Sequence, residues 1–246
     1  MLGVPIMLSA REPATDASLT HVRIQRTIIA DPLHRLMGDD AVLVLIDCQV
    51  GPLWEPDASG LRQDVVALAR AAKQQNVPTI LSVLASDHWG PIIPELTDAT
   101  PGAEVIERRG RDPWTLSPIR QAIEATGRQQ IVIAGVATET CIVRAALGAT
   151  RDGYDVYAVV DASGHYSPRA AMAAVLRMRA GGVTVTNYST VLVELVGAGL
   201  LVDRSALLAI GLRHTLPRPP EIGRHALRRS VRPDSANQAV SCVPLT

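Results

Sequence analysis

From residue 41 onward, continuous apolar runs alternate with stretches of helical spacing. "AVLVLID", residues 41–47, is apolar throughout and stops at an acid. Continuous hydrophobicity suits a strand buried on both faces, as in a parallel sheet. "SGLRQDVVALARAAKQQN" then sets Leu61, Val65, Leu68, Ala69 and Ala72 on one helical stripe. Lys73 falls near the end of that helix, where a cation complements the dipole and faces water. "VPTILSVLA" predicts the next strand. After a loop rich in Pro and Gly, "PIRQAIEATG" predicts a helix ended by Gly127. The order then runs "QQIVIAG" strand, "ETCIVRAALGATRDG" helix, "DVYAVVDA" strand, "SPRAAMAAVLRMRAGG" helix and "VTVTNYS" strand. Such alternation predicts a three-layer α/β/α fold around a doubly wound, mainly parallel sheet.

The flanks read differently. Residues 1–38 carry Pro5, Pro13 and Pro32 without a clear period, and predict an N-terminal arm with a short strand at "HVRIQRTIIA". Residues 39–198 form the predicted domain. Residues 199–246 predict a helix at "LLVDRSALLAIGL" and then a tail rich in Pro, Arg and Ser. That tail holds too little apolar material to fold alone, and suits packing on a neighbouring subunit. Arm and tail together point to a homo-oligomer.

Composition narrows the function classes. The formal net charge of +0 over 246 residues argues against a nucleic-acid partner, because phosphate neutralisation needs a basic surplus. Cys48, Cys141 and Cys242 form no CxxC pair, and no Cys/His spacing suggests zinc. "MLGVPIML" lacks the basic flank of a signal peptide. No apolar run approaches the roughly 20 residues that span a bilayer, so no membrane role and a cytoplasmic setting are expected.

Ligands of open α/β sheets bind beyond the carboxyl ends of the strands. Asp47 ends one predicted strand, and Cys141 opens the helix after another. A thiol at a helix N-terminus feels the positive end of the dipole, which lowers its pKa. Backbone N–H groups at the same turn lack intrahelical partners and can hold an oxyanion. A nearby carboxylate can take the thiol proton. On position alone, Cys141 is equally readable as a small buried hydrophobe.

"LVLIDCQVG" and "GVATETCIVRAALGATRDGYDVYAVVDAS", in this order, resemble the isochorismatase-like superfamily of cysteine hydrolases. "PELTDATPGAEVIERRGRDPW" with "AIEATGRQQIVIAGV" is most similar to a branch of poorly characterised bacterial hydrolases within it. The likeness runs from about Ala41 to Val196. It implies an Asp–Lys–Cys triad, with Asp47 and Cys141 at the first and last positions. It also implies a cis peptide at Val136–Ala137 and an oxyanion hole from the amides of Ala137 and Cys141. The lysine position falls in "VIERRG", at Arg108 or alternatively Arg109; Lys73, the chain's only lysine, belongs to an early helix and cannot substitute. Gln49, Trp114 and Val136 are the candidate substrate contacts, with a structural role equally open for Gln49 and a hydrophobic plug the other reading of Trp114. Members of the superfamily that bind metal use an Asp and two His in a D-x-H-x-x-H pattern. "SDHWG" offers only adjacent Asp87 and His88, so no metal and no cofactor are expected. Cys48 is expected in the core, His165 in a solvated turn, and Asp161 as the cap of the turn that follows it.

The activity implied is hydrolysis of a C–N, amide-type bond in a small molecule through a thioester. Two other readings stand beside it: vinyl-ether hydrolysis of the isochorismatase type, which needs no nucleophile, and a catalytically silent oligomeric scaffold.

Overall fold

The apolar run becomes strand β1 (Ala41–Ile46), buried at every position. In the computed structural model, residues 35–51, 59–85 and 89–196 are described. The strand expected at 21–30, the helix at 200–212 and the tail lie outside them, as do Asp87, His88 and Cys242. Helix α1 (Ser59–Gln74) and strand β2 (Thr79–Leu84) follow as the pattern predicts. The stripe predicted for α1 is its buried face, with Val65, Leu68, Ala69 and Ala72 at 0–1% exposure.

Farther along come α2 (Pro94–Ala99), β3 (Glu104–Arg108), α3 (Ser117–Ala125) and β4 (Gln130–Gly135). A π-helical turn (Thr138–Ile142) leads into α4 (Val143–Arg151). Strand β5 (Asp155–Ser163), α5 (Pro168–Ala180), β6 (Thr184–Thr186) and α6 (Tyr188–Val196) complete the order. The sheet has six strands in the order β3-β2-β1-β4-β5-β6, and every strand pairing is parallel. Strand order reverses between β1 and β4, which is where such folds open a ligand crevice.

Alternate strand residues feed two cores. Leu43, Leu45, Leu81, Val132 and Val159 pack with α1, α2 and α6. Val42, Val44, Ile46, Ile80, Ile106 and Ile133 pack on the other face with α3, α4 and α5. This is the period-2 rule of strands acting on both faces of a covered sheet.

Three elements depart from the sequence reading. The loop expected before α3 contains α2 and the edge strand β3, where only Ile106 and Arg108 are buried. A five-residue edge strand with charged outward positions carries too weak an apolar signal to stand out. The strand expected over 183–189 is cut short because Asn187 caps α6, its Oδ1 accepting from Thr190 N at 2.9 Å. Asp161 serves the same helix, accepting from Tyr188 N at 2.7 Å, rather than capping the turn after its own strand.

Gly135 sets how closely β4 approaches β1. Its φ is +121°, and a Cβ there would lie 2.0 Å from the carbonyl oxygen of Ile46, a backbone atom with no room to move. Gly135→Ala is therefore expected to cost about 4 kcal/mol or more, the upper end for single substitutions, lowering Tm by roughly 8–16 °C. Gly60→Ala, where nothing lies within 4 Å of the added Cβ, should leave Tm unchanged or slightly raised. Thermal unfolding of the two variants checks both.

Candidate active site

Had β1 continued its pleat, Asp47 would share the face of Leu43 and Leu45, under α1. It does not, because Asp47 adopts a left-handed backbone with φ +53°. Asp tolerates that region better than most side chains. The change of hand breaks the alternation: Cys48 joins the α1 core with Leu45, while the Asp47 carboxylate turns to the side of Ile106 and Cys141. An irregular backbone at a strand end marks a place where geometry is over-determined by its surroundings.

Burial separates the two arginines. Ile106 and Arg108 are the buried positions of β3, while Arg109, just past the strand, is exposed. Arg108 is 2% exposed. Its Nη2 donates to Asp47 Oδ2, its Nε to Ser82 Oγ at 3.1 Å, and its Nη1 to the carbonyl of Gly110. Asp47 Oδ1 is buried without a hydrogen-bond partner, and the Cys141 thiol is near enough to act on its proton affinity.

Cys141 lies in the π-helical turn after β4, 4% exposed. The peptide bond Val136–Ala137 is cis. The Ala137 carbonyl accepts from Thr140 N at 3.1 Å and Ile142 N at 3.2 Å. Thr138 is tied by its N–H, at 2.8 Å, and by its hydroxyl, at 2.9 Å, to the Gly164 carbonyl after β5. Asp47, Val136, Ala137 and Cys141 line a cavity of about 150 Å³. Leu84, Trp89, Thr140 and Tyr166 wall it, and Arg109 and Arg111 complete it. Its volume is well under the 300–1,000 Å³ of drug-sized pockets, so it fits a small molecule.

The charge state differs from that expected of a thiol at a helix N-terminus. Burial pushes the Cys141 thiol above its ordinary value of 9.0, the Asp47 carboxylate pushes it further, and Arg108 acts in the opposite direction. Burial also raises Asp47 above its ordinary 3.8, against the pull of Arg108. Desolvation disfavours both charged forms. The site thus sets a thiol held toward its protonated form beside a carboxyl in contact with Arg108.

Two candidate substrate contacts are elsewhere. Gln49 is 1% exposed, its Nε2 donating to the Leu84 and Gly90 carbonyls at 3.0 and 2.7 Å and its Oε1 accepting from Leu84 N at 2.9 Å. Every polar atom of that amide is engaged in joining loops, because the left-handed Asp47 shifts the face that alternation assigns to Gln49. Trp114 lies beneath α4, its ring against Gly148, edge-on to Tyr154 at 5.7 Å and bonded through Nε1 to Asp152 Oδ2 at 2.7 Å. The aromatic residues on the cavity are instead Trp89, from the "SDHWG" stretch, and Tyr166. Thr140 and Tyr166 were also outside the sequence reading, although both follow strand ends, where such residues belong. His165 is exposed, and Lys73 borders a separate cavity with Val77 and Thr79. Among the described residues, no group of three or more His, Cys, Asp or Glu is placed to hold a metal, and no helix is long and apolar enough to cross a membrane.

Comparison with known proteins fits this geometry. The Isochorismatase domain model matches residues 41–189. The chain belongs to the isochorismatase family. Within the family it is 36% identical over 171 residues to the probable hydrolase YcaC of Escherichia coli, covering 67% of this chain and 81% of that protein. The crystal structure of E. coli YcaC, an octameric hydrolase of unknown specificity, superposes with a TM-score of 0.68 over 73% of this chain and 90% of that one, at 36% identity. YcaC from Pseudomonas aeruginosa, solved with hexane-2,5-diol and covalent acrylamide, gives 0.63 over 66% and 83%, at 37% identity. This isochorismatase-family chain is accordingly a YcaC-like hydrolase.

Because Asp47 raises and Arg108 lowers the Cys141 pKa, the two substitutions should move it in opposite directions. Site-resolved alkylation by iodoacetamide across pH is expected to titrate above 9.0 in the native protein, lower in Asp47→Asn and higher in Arg108→Gln. Cys48, whose thiol burial pushes far up, is the unreactive internal control. A Cys141 profile unmoved by both changes would contradict the assignment.

Proposed function

We propose that this hydrolase cleaves the C–N bond of a small amide through a thioester on Cys141. One observation carries the reading: a buried thiol and a carboxylate line one small cavity where the strand order reverses, and the Arg108 guanidinium holds that carboxylate from behind. Cysteine nucleophiles need a base in reach of their proton, and Asp47 is the acid in this cavity's wall.

The steps follow from the resting charge state. As the substrate carbonyl approaches, Asp47 takes the thiol proton and the sulfur bonds to the carbonyl carbon. Backbone amides of Ala137 and Cys141 stabilise the oxyanion. No acceptor among the described residues occupies the Ala137 N–H. The tetrahedral species collapses, the C–N bond breaks, and the leaving nitrogen takes the proton from Asp47. Water then gives a proton to the same carboxylate while its oxygen attacks the thioester. The acid leaves and the proton returns to sulfur.

Arg108 stands where the superfamily's lysine is expected. A guanidinium does not trade protons, so its role is to hold Asp47 and to favour developing thiolate. Raised by burial, Asp47 is a better proton carrier than an ordinary carboxyl, since its affinity moves toward working pH.

The relatives support two further points. P. aeruginosa YcaC carries covalent acrylamide, an electrophile that reacts with nucleophilic side chains, in keeping with a reactive Cys141 here. E. coli YcaC is octameric, and a homo-oligomer is proposed for this chain. The two described cysteines, Cys48 and Cys141, are free thiols, which suits a cytoplasmic setting.

On a panel of small amides, Cys141→Ala should lower kcat at least about 10³-fold and Asp47→Asn about 10²–10⁴-fold. Arg108→Lys should retain more activity than Arg108→Gln. Mass spectrometry of quenched reactions should show an acyl adduct on the Cys141 peptide. Turnover that survives Cys141→Ala without an adduct would sink the thioester route.

A further inference from the structure

The cavity's charges do not balance. Asp47 is its one acidic lining residue and is already matched by Arg108. Arg109 and Arg111 also line it, both exposed at the rim, and among the described residues neither has a carboxylate partner. Glu139, the acid on the neighbouring turn, accepts through Oε1 from the Tyr166 and Ser167 amides at 2.9 and 3.1 Å. The rim therefore holds two cations above a neutral floor.

Their placement has a structural cause. Arg108 Nη1 donates to the Gly110 carbonyl, so the buried guanidinium holds the turn that carries Arg109 on one side and Arg111 on the other. Arg111 is close enough to act on the Tyr166 hydroxyl across the mouth. Guanidinium groups recognise planar anions through paired N–H donors. Two of them at a concave mouth also concentrate anions electrostatically.

We infer that the substrate is a small amide bearing a carboxylate, which Arg109 and Arg111 hold at the rim while its carbonyl faces Cys141. The inference rests on the amidase reading and narrows its substrate class. Arg109 and Arg111 act in it as specificity residues, apart from the bond-breaking groups. With Trp89 and Leu84 on the wall, the middle of the ligand is apolar and short.

Two measurements test it, one independent of thiol reactivity. In the first, calorimetry compares benzoate with benzamide, which differ in charge at nearly constant shape. Native protein should bind benzoate about 10-fold more tightly, the scale of a charge-assisted hydrogen bond, and the preference should shrink with added salt. An Arg109→Gln/Arg111→Gln variant should lose it while keeping benzamide affinity. In the second, iodoacetate and iodoacetamide compete for Cys141. The ratio of their rates should exceed that of N-acetylcysteine and fall to it in the double variant. Unchanged iodoacetamide labelling in that variant shows that the site is folded. Equal binding of benzoate and benzamide, or a preference that survives the double substitution, overturns the inference. A Cys141 inert to both reagents would fell the amidase reading instead, and the calorimetry would still decide the anion.

Discussion

The buried contact between Asp47 and Arg108 is what the rest of the site is arranged around. Removing two charges from water is costly, and their attraction offsets the cost only when the geometry is good and other polar atoms are satisfied. Arg108 meets that condition with Ser82 Oγ, Gly110 and Asp47 as partners. Asp47 does not, since Oδ1 is buried and unpartnered. The imbalance belongs to the carboxylate, on the side facing the thiol. A fold selected for stability alone would satisfy both oxygens or bury apolar groups instead. The spare acceptor is the feature that makes the pair chemically useful.

That contact depends on one backbone choice. Without the left-handed turn at Asp47, the carboxylate would point to the α1 core and Cys48 would face the cavity. The turn is supported on both sides: Asp47 N donates to Ser82 O at 2.8 Å, and Val136 N donates to Ile46 O at 2.8 Å. Gly135 lets β4 come close enough for the second bond, as its blocked Cβ position shows. Four consecutive strands, β3-β2-β1-β4, thus hold the three groups: β1 the acid, β3 the guanidinium across β2, and the turn after β4 the thiol.

Much of this was legible in residue order. The continuous runs of β1 and β4 announce a covered parallel sheet, and acids or cysteines placed after such strands lie in a crevice by topology alone. What periodicity could not give was the break at Asp47. Alternation is a rule for unbroken strands, so it assigned Gln49 to the face of Asp47, whereas the Gln49 amide is enclosed by Leu84 and Gly90. The same rule, applied to β3, would have chosen Arg108 over Arg109, but β3 carries too little hydrophobic signal to be seen as a strand. Trp114 takes the other of its two readings, a plug in the core. Its indole fits against Gly148, a contact between segments distant in sequence and invisible to any local pattern. Tyr166 and Trp89 lie on loops, where position follows from the whole fold.

The raised pKa values connect site and stability. A carboxyl whose folded pKa exceeds its unfolded value contributes stability that is present below the unfolded pKa and lost as pH rises through the folded one. Asp47, raised from 3.8, therefore works against the folded state at neutral pH, when it is charged. The two apolar cores must carry that cost. The same burial keeps the Cys141 thiol protonated at rest, which protects it from oxidants that attack thiolates. In the mechanism proposed above, reactivity then depends on proton transfer to Asp47 as substrate arrives rather than on a standing thiolate. Arginine suits this arrangement better than lysine would. A lysine can surrender its proton when buried, whereas a guanidinium keeps its charge, so that in the proposed mechanism the one mobile proton passes between sulfur and Asp47.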